Sequence, residues 1–205
     1  HLKNTLTSLD CTGNSISEIK IWTGFNPASY SGFKKDSSAQ YTGTLAIDFV
    51  DSSFKSSLLH AESVGGGALN IDKDGDGEIN TEEAAAVTEL YLTTFSCNVR
   101  TTEDLRNFPN LKTLKINPVI ADGDCSESPI IDVSELSNLT SIDIKPYYGY
   151  NMVAPTVILN NSSLTSVSIL GNSTFANTGI TSLDLTGCAN IQSLNLSYNQ
   201  LSSLD

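Results

Sequence analysis

Residues 72–83 read DKDGDGEINTEE, and their types and spacing point to metal chemistry. Asp72, Asp74 and Asp76 stand at positions 1, 3 and 5 of a twelve-residue stretch, with Gly77 at 6, Glu78 at 7, Ile79 at 8, Asn80 at 9 and Glu83 at 12. A hard cation such as Ca²⁺ takes six to eight oxygens, and alternate acids on a tightly turning chain bring theirs to one point. Gly77 permits the sharp turn, the Glu78 carbonyl offers a backbone ligand, Asn80 stands at the ninth position and Glu83 can bind through both oxygens. Without a cation, carboxylates crowded this closely repel one another. The alternative is a solvated acidic turn with the same letters.

Every position of the EF-hand loop pattern is matched in this stretch. Its surroundings differ from a full EF-hand. Asn80, Thr81 and Glu83 begin a good helix through Ala84, Ala85 and Ala86, but Gly65–Asn70 before the loop is not helical. Only one loop is present, whereas Ca²⁺ sensors open as helix pairs. The expected role is therefore structural, with the ion pinning the chain where the next element begins at Val87; Ca²⁺ regulation is the second reading.

No other constellation for chemistry is visible. The chain has two histidines, His1 and His60, so no Ser-His-Asp or Cys-His system can be assembled with His1 at the terminus. There is no G-x-S-x-G, Walker loop or H-E-x-x-H. Paired carboxylates for glycoside hydrolysis are compatible with composition, but the acids that cluster are those of the 72–83 loop. The expectation is a non-catalytic protein. Of the four cysteines, Cys11 and Cys188 occupy positions of small buried hydrophobes. Cys97 and Cys125 lie in irregular stretches, where either free thiols or a disulfide fits. No spacing supports thiolate metal binding.

The elements that must carry this loop show in the apolar pattern. From Ile180 to Asp205 the phrase L-x-x-L-x-L returns every ten or eleven residues, with Asn199 eight places after Ile191. An amphipathic helix would space apolar residues at i, i+3, i+4 and i+7; this phrase ends in period-2 alternation and predicts a strand. It is the leucine-rich-repeat signature: apolar side chains face inward from a short strand, and the Asn satisfies backbone groups in the following turn. One such unit cannot bury its own apolar face, so copies must stack.

Coils are expected to start at Val87, Leu111, Leu139, Leu164 and Ile191, at spacings of 24, 28, 25 and 27 residues. Their inward residues are Leu90/Leu92, Leu114/Ile116, Ile142/Ile144, Val167/Ile169 and Leu194/Leu196. The fold class is α/β: a leucine-rich-repeat solenoid with a parallel sheet on the concave side and short helices or irregular chain on the convex side. Thr102-Glu103-Asp104-Leu105 has an N-cap residue and first-turn acids, predicting a short return helix that Pro109 ends. The Asn slot is filled at Asn14, Asn172 and Asn199, while Phe95, Val119 and Tyr147 stand at the equivalent place in other coils.

Upstream, residues 1–22 form one more coil, followed by a linker or irregular cap at 23–45, rich in Gly, Ser and aromatics. Residues 46–86 form a helical cap containing the acidic loop, with a short amphipathic helix between Phe49 and Glu62 on Val50, Phe54, Leu58 and Leu59. It stops before Gly65-Gly66-Gly67. Residues 87–205 are the repeats.

At 205 residues the chain is long enough for a real core, and its net charge of −12 argues against nucleic acid or an anionic membrane as partner. No apolar run approaches the roughly 20 residues of a membrane span. A chain opening at His1 reads as a mature fragment, leaving anchoring and oligomeric state open. Binding is the remaining class of function. Outward strand positions are mostly small and polar, with Tyr91, Lys115 and Asp143 the more distinctive groups on the concave face. Such a face is more often repeat background than a tuned interface, and the better candidate is the loop after the third strand, where Tyr147, Tyr148 and Tyr150 offer large contact area at low entropy cost and can stack on sugars or peptides. Trp22, Phe25, Tyr30 and Phe33 form another aromatic cluster, read as cover for an end of the solenoid.

Three runs, IDFVDSSFKSSLL, NIDKDGDGEINTEEAAAV and LRNFPNLKTLKI, resemble the N-terminal cap and first coil of internalin-like leucine-rich-repeat proteins of bacterial surfaces. LTSLDC and LNLSYNQLSSLD resemble the nested repeats of the same family. The resemblance leaves residues 23–45 and 118–133 uncovered, and a repeat ahead of the cap departs from it. It implies a secreted or surface-anchored protein of recognition or adhesion without catalysis, and names no partner. The resulting expectation is a Ca²⁺-stabilised extracellular module binding protein. The alternatives are a glycan-binding module or an accessory domain of a larger secreted enzyme.

Overall fold

A computed structural model describes residues 7–21, 31–42, 46–95, 98–118, 127–145, 153–174 and 179–204. One turn of chain carries β1 (Leu9–Asp10) and β2 (Glu18–Lys20), and the next carries β3 (Phe33–Lys34) and β4 (Gln40–Thr42). β1 pairs with β3 and β2 with β4, both parallel, setting Leu9 level with Phe33 and Ile19 level with Tyr41. The span expected to be a linker or irregular cap therefore holds a second turn stacked on the first. An aromatic in place of Leu hid it: Phe33 fills the level that Leu9 fills below, so the Leu periodicity breaks while the pairing continues.

Helix α1 (Ser52–Leu59) is shorter than the Phe49–Glu62 span because Asp51 caps it, accepting from the N–H groups of Ser53 at 2.8 Å and Phe54 at 3.0 Å. Val50 thus falls outside the helix and is 62% exposed, while Phe54 and Leu58 are fully buried. Helix α2 (Thr81–Ala85) starts with a capping box: Asn80 accepts from the Glu82 and Glu83 N–H groups, and Glu83 returns its carboxylate to the Asn80 N–H.

The remaining strands are β5 (Glu89–Phe95), β6 (Thr113–Pro118), β7 (Ile130–Asp132), β8 (Ser141–Ile144), β9 (Thr156–Ile158), β10 (Ser166–Ile169) and β11 (Ser193–Asn195). Five of them form one parallel sheet in the order β5-β6-β8-β10-β11. Leu90, Leu114, Ile142, Val167 and Leu194 share one register level across it. Parallel neighbours require a crossover each time, so the chain winds in one direction and the inward residues meet as a continuous core. Leu90, Leu92, Leu114 and Ile116 are 0% exposed, and Ile142, Ile144, Val167 and Ile169 only 1%. Leu194 is 38% exposed, because among the described residues no strand pairs with the far side of β11.

The return paths are mostly extended. A 3-10 helix at Glu103–Asn107 follows β5, but on later turns β7 and β9 pair in parallel, and Thr101 bridges to Ile130. The architecture is a parallel-strand solenoid with few helices. The N-cap expected of Thr102 does not form. Its hydroxyl accepts from the Asp132 N–H at 3.0 Å, one coil further on, while at the helix start the Glu103 N–H is taken by the Thr101 hydroxyl at 3.2 Å, so both donors find partners.

A second ladder binds coil to coil. The side-chain amides of Asn110, Asn138 and Asn190 each donate at 2.8 Å to a carbonyl of the preceding coil, on Ala85, Pro109 and Ser162 respectively. Each Asn directly precedes the first Leu or Ile of its coil, a signal legible in the sequence as N-L, N-L and N-I. In the Asn slot that the sequence did indicate, Asn199 donates to the carbonyls of Ile169 at 2.7 Å and Leu196 at 2.9 Å and accepts from the Ile180 N–H at 3.0 Å. Phe95 in the equivalent slot is wholly buried; Val119 and Tyr147 lie outside the described residues.

Candidate metal centre

The acidic loop sits between two core anchors, Ile71 at 2% exposure and Ile79 at 0%. Burying both apolar ends forces the seven residues between them to bulge outward as a compact loop. Gly75 at φ +72° and Gly77 at φ +81° take left-handed conformations that side-chain-bearing residues avoid. This turn aims three N–H groups at one carboxylate. Asp72 accepts from Gly75 at 2.8 Å, Asp76 at 3.0 Å and Gly77 at 2.7 Å. Asp74 accepts from the Asp76 N–H at 3.2 Å, and Asp76 from the Glu78 N–H at 2.7 Å.

Asp72, Asp74 and Asp76 each present an oxygen within 4.8 Å of the others, a cluster that can hold a metal ion. Burial works to raise the Asp72 carboxyl, but the N–H groups of Gly77, Asp76 and Gly75, with the Asp74 side chain, favour the charged form and hold it below the ordinary 3.8. The backbone thus keeps this acid ionised, as metal ligation requires.

The other three residues of the expected ligand set are placed differently. Glu83 is buried, with one oxygen accepting from the Lys73 N–H at 2.7 Å and the other from Asn80 at 2.9 Å. Each carboxylate oxygen has a second lone pair, so these bonds orient Glu83 without exhausting it. The Asn80 carbonyl oxygen is committed to capping α2, which the ninth position of such a loop tolerates because it often ligates through water. The Glu78 carboxylate pairs with Lys55 Nζ at 2.7 Å, consistent with its backbone carbonyl being the group offered at the seventh position.

The sequence left two supports of the loop unseen. Lys55 reaches it from α1. Behind it, the Ile79 carbonyl accepts from the Ile47 N–H at 2.8 Å, and Ala46 bridges to Asn80 in antiparallel fashion. A segment far away in sequence thus takes the pairing position beside the loop. The apolar character of Ala46 and Ile47 was the available signal, but nothing in it specifies which strand edge they meet.

The same cap is tied to the solenoid by two buried acids. Asp51, besides capping α1, accepts from the Arg100 N–H at 2.5 Å and the Thr101 N–H at 3.2 Å. Asp104, at 0% exposure, accepts from the N–H groups of Val50 at 2.8 Å and Asp51 at 3.3 Å. Glu62 exchanges both backbone bonds with Tyr91, each at 2.8 Å, so the cap also closes the free edge of β5.

On the five-stranded sheet, Tyr91, Lys115 and Asp143 fall side by side on one register level, each half-buried. Asp143 pairs with Lys145 at 3.0 Å. The expected ligand residues Tyr147, Tyr148 and Tyr150 lie outside the described residues, as do Trp22, Phe25, Tyr30, Cys97 and Cys125. Cys11 and Cys188 are free thiols; Cys188 is buried and Cys11 half-buried. Among the described residues no helix is long and apolar enough to cross a membrane. No protein-family model matches the chain, and no curated protein matches it.

Proposed function

We propose that this chain is a Ca²⁺-stabilised leucine-rich-repeat module of a secreted or cell-surface protein, non-catalytic and built to bind another protein. The observation that supports it most is the cluster of Asp72, Asp74 and Asp76 in a loop whose flanks anchor the cap next to β5. Ca²⁺ is favoured over Mg²⁺ because a loop with acids at alternate positions and a further Glu at its end supplies more oxygens, in a looser shell, than six rigid octahedral sites need. Asp72, Asp74, Asp76, Glu83 and the Glu78 carbonyl are the ligands, with Asn80 acting through water. The ion would supply charge neutralisation and lock the entry into the first coil. Ligand recognition falls to the concave sheet around Tyr91, Lys115 and Asp143.

The test is thermal unfolding with Ca²⁺ and with excess chelator. At a hundredfold excess of Ca²⁺ over Kd the ion adds about 2.7 kcal/mol, raising the melting temperature by roughly 5–10 °C for a chain of this size. In the Asp72→Ala/Asp74→Ala double variant that difference should vanish. Identical melting curves for the wild-type chain with and without chelator would refute the calcium reading.

A further inference from the structure

On the return side of the solenoid, pairing between coils stops between two turns that are both described. β7 spends one edge on the turn before it: Ile130 donates to the Arg100 carbonyl at 2.9 Å and accepts from the Thr102 N–H at 3.0 Å. Its other edge meets β9, where Thr156 donates to Pro129 at 2.9 Å and Ile158 accepts from Val133 at 3.0 Å. Backbone groups alternate in direction along a parallel strand. With Thr156 and Ile158 turned to β7, the N–H and C=O of Val157 therefore point toward the next turn.

The repeat supplies a partner for that edge. Leu183 stands eight residues before Ile191, as Ile131 stands eight before Leu139. The segment is held elsewhere, however. The Ile180 N–H donates to Asn199 Oδ1, and its carbonyl accepts from the Gln200 N–H, both at 3.0 Å. Among the described residues no backbone bond joins 179–185 to β9. The same two coils stay in register on the opposite side, where β8 pairs with β10. They are joined along the sheet and splayed along the return path.

Between them lies a cleft of about 450 Å³, with Val153, Pro155 and Val157 on one wall and Ile180, Leu183 and Asp184 on the other. Its chemistry selects the occupant. An unpaired strand edge matches an extended backbone, and no aromatic lines the cleft to stack on a sugar. Asp184 is the one titratable group in the lining. The Thr186 hydroxyl and N–H hold its carboxyl below the ordinary 3.8, so it is charged at neutral pH.

We propose that this cleft docks an extended segment of a partner protein, which adds to β9 as a strand and alternates apolar side chains with a Lys or Arg that meets Asp184. The site is separate from the five-stranded sheet assigned to recognition above, and the two stand or fall independently.

A display library of random short peptides, screened against the 205-residue chain, supplies the probe, and amide hydrogen exchange reads the contact. In the free chain the Val157 N–H should exchange fast and that of Ile158, inside the ladder, slowly. Selected peptides should be basic with alternating apolar residues, and should slow exchange at Val157. Asp184→Lys should weaken them by about tenfold or more. Ser182→Trp, which fills the cleft from an exposed position, should remove binding. Both variants should keep the wild-type melting transition as the check on folding. Slow exchange at Val157 in the free chain, no peptide selected, or binding that survives either variant would overturn the proposal. Binding lost with Tyr91→Ala instead would assign the peptide to the sheet and also overturn it.

Discussion

Gly171 shows how a single residue can be dictated by close approach. A Cβ at that position would lie 1.8 Å from the Tyr198 carbonyl oxygen, and its N–H already donates to Ser197 at 2.9 Å. The obstacle is backbone, so nothing can rotate aside. Gly171→Ala should cost about 3 kcal/mol or more, measured by denaturant unfolding; a loss below about 0.5 kcal/mol would mean that the Tyr198 turn is free to move. Tyr198 itself sits at φ +63°, so the turn holds a non-glycine residue in the left-handed region. Asn199 was legible here from the repeat phrase alone. Gly171 was not, because the residue it avoids lies on another coil.

At the scale of elements, the cap depends on acids serving backbone donors rather than salt bridges. Asp51 satisfies four N–H groups from two separate segments. Asp51→Ala should destabilise by about 2–4 kcal/mol, combining a lost helix cap with buried N–H groups left unpaired. Asp51→Asn should lose less, because its remaining oxygen still caps α1. Equal losses from the two variants, read from thermal or urea unfolding, would show that the capping geometry contributes little. Sequence reading located α1 and α2 by their apolar spacing and cap residues, and it identified the acidic loop between them. Asp104 does stand in the first turn of the short return helix expected there, but its side chain also accepts from the N–H groups of Val50 and Asp51, which the sequence did not indicate. A first-turn acid and a long-range acceptor have the same sequence signature.

For the whole molecule, stability should follow position along the rod. Leu114 has strands on both sides and no exposure, so Leu114→Ala should cost about 2–5 kcal/mol. Leu194, on the edge strand β11, already has part of its surface in water, and its truncation should cost under about 1.5 kcal/mol. Comparable losses at the two sites would contradict a core built from stacked neighbours.

The residue types and their spacing were enough to determine the inward rows from Leu90 to Ile169, the coil spacing and the acid positions of the loop, since period-2 apolar alternation and oxygen ligands are properties of a local stretch. Tertiary structure alone decided that residues 31–42 form a second turn, that the later return paths pair as strands, and that Lys55, Ile47 and Asp51 support the loop and its cap. Those outcomes depend on which backbone donors and acceptors are left unsatisfied after the chain has wound, a quantity that no local pattern records.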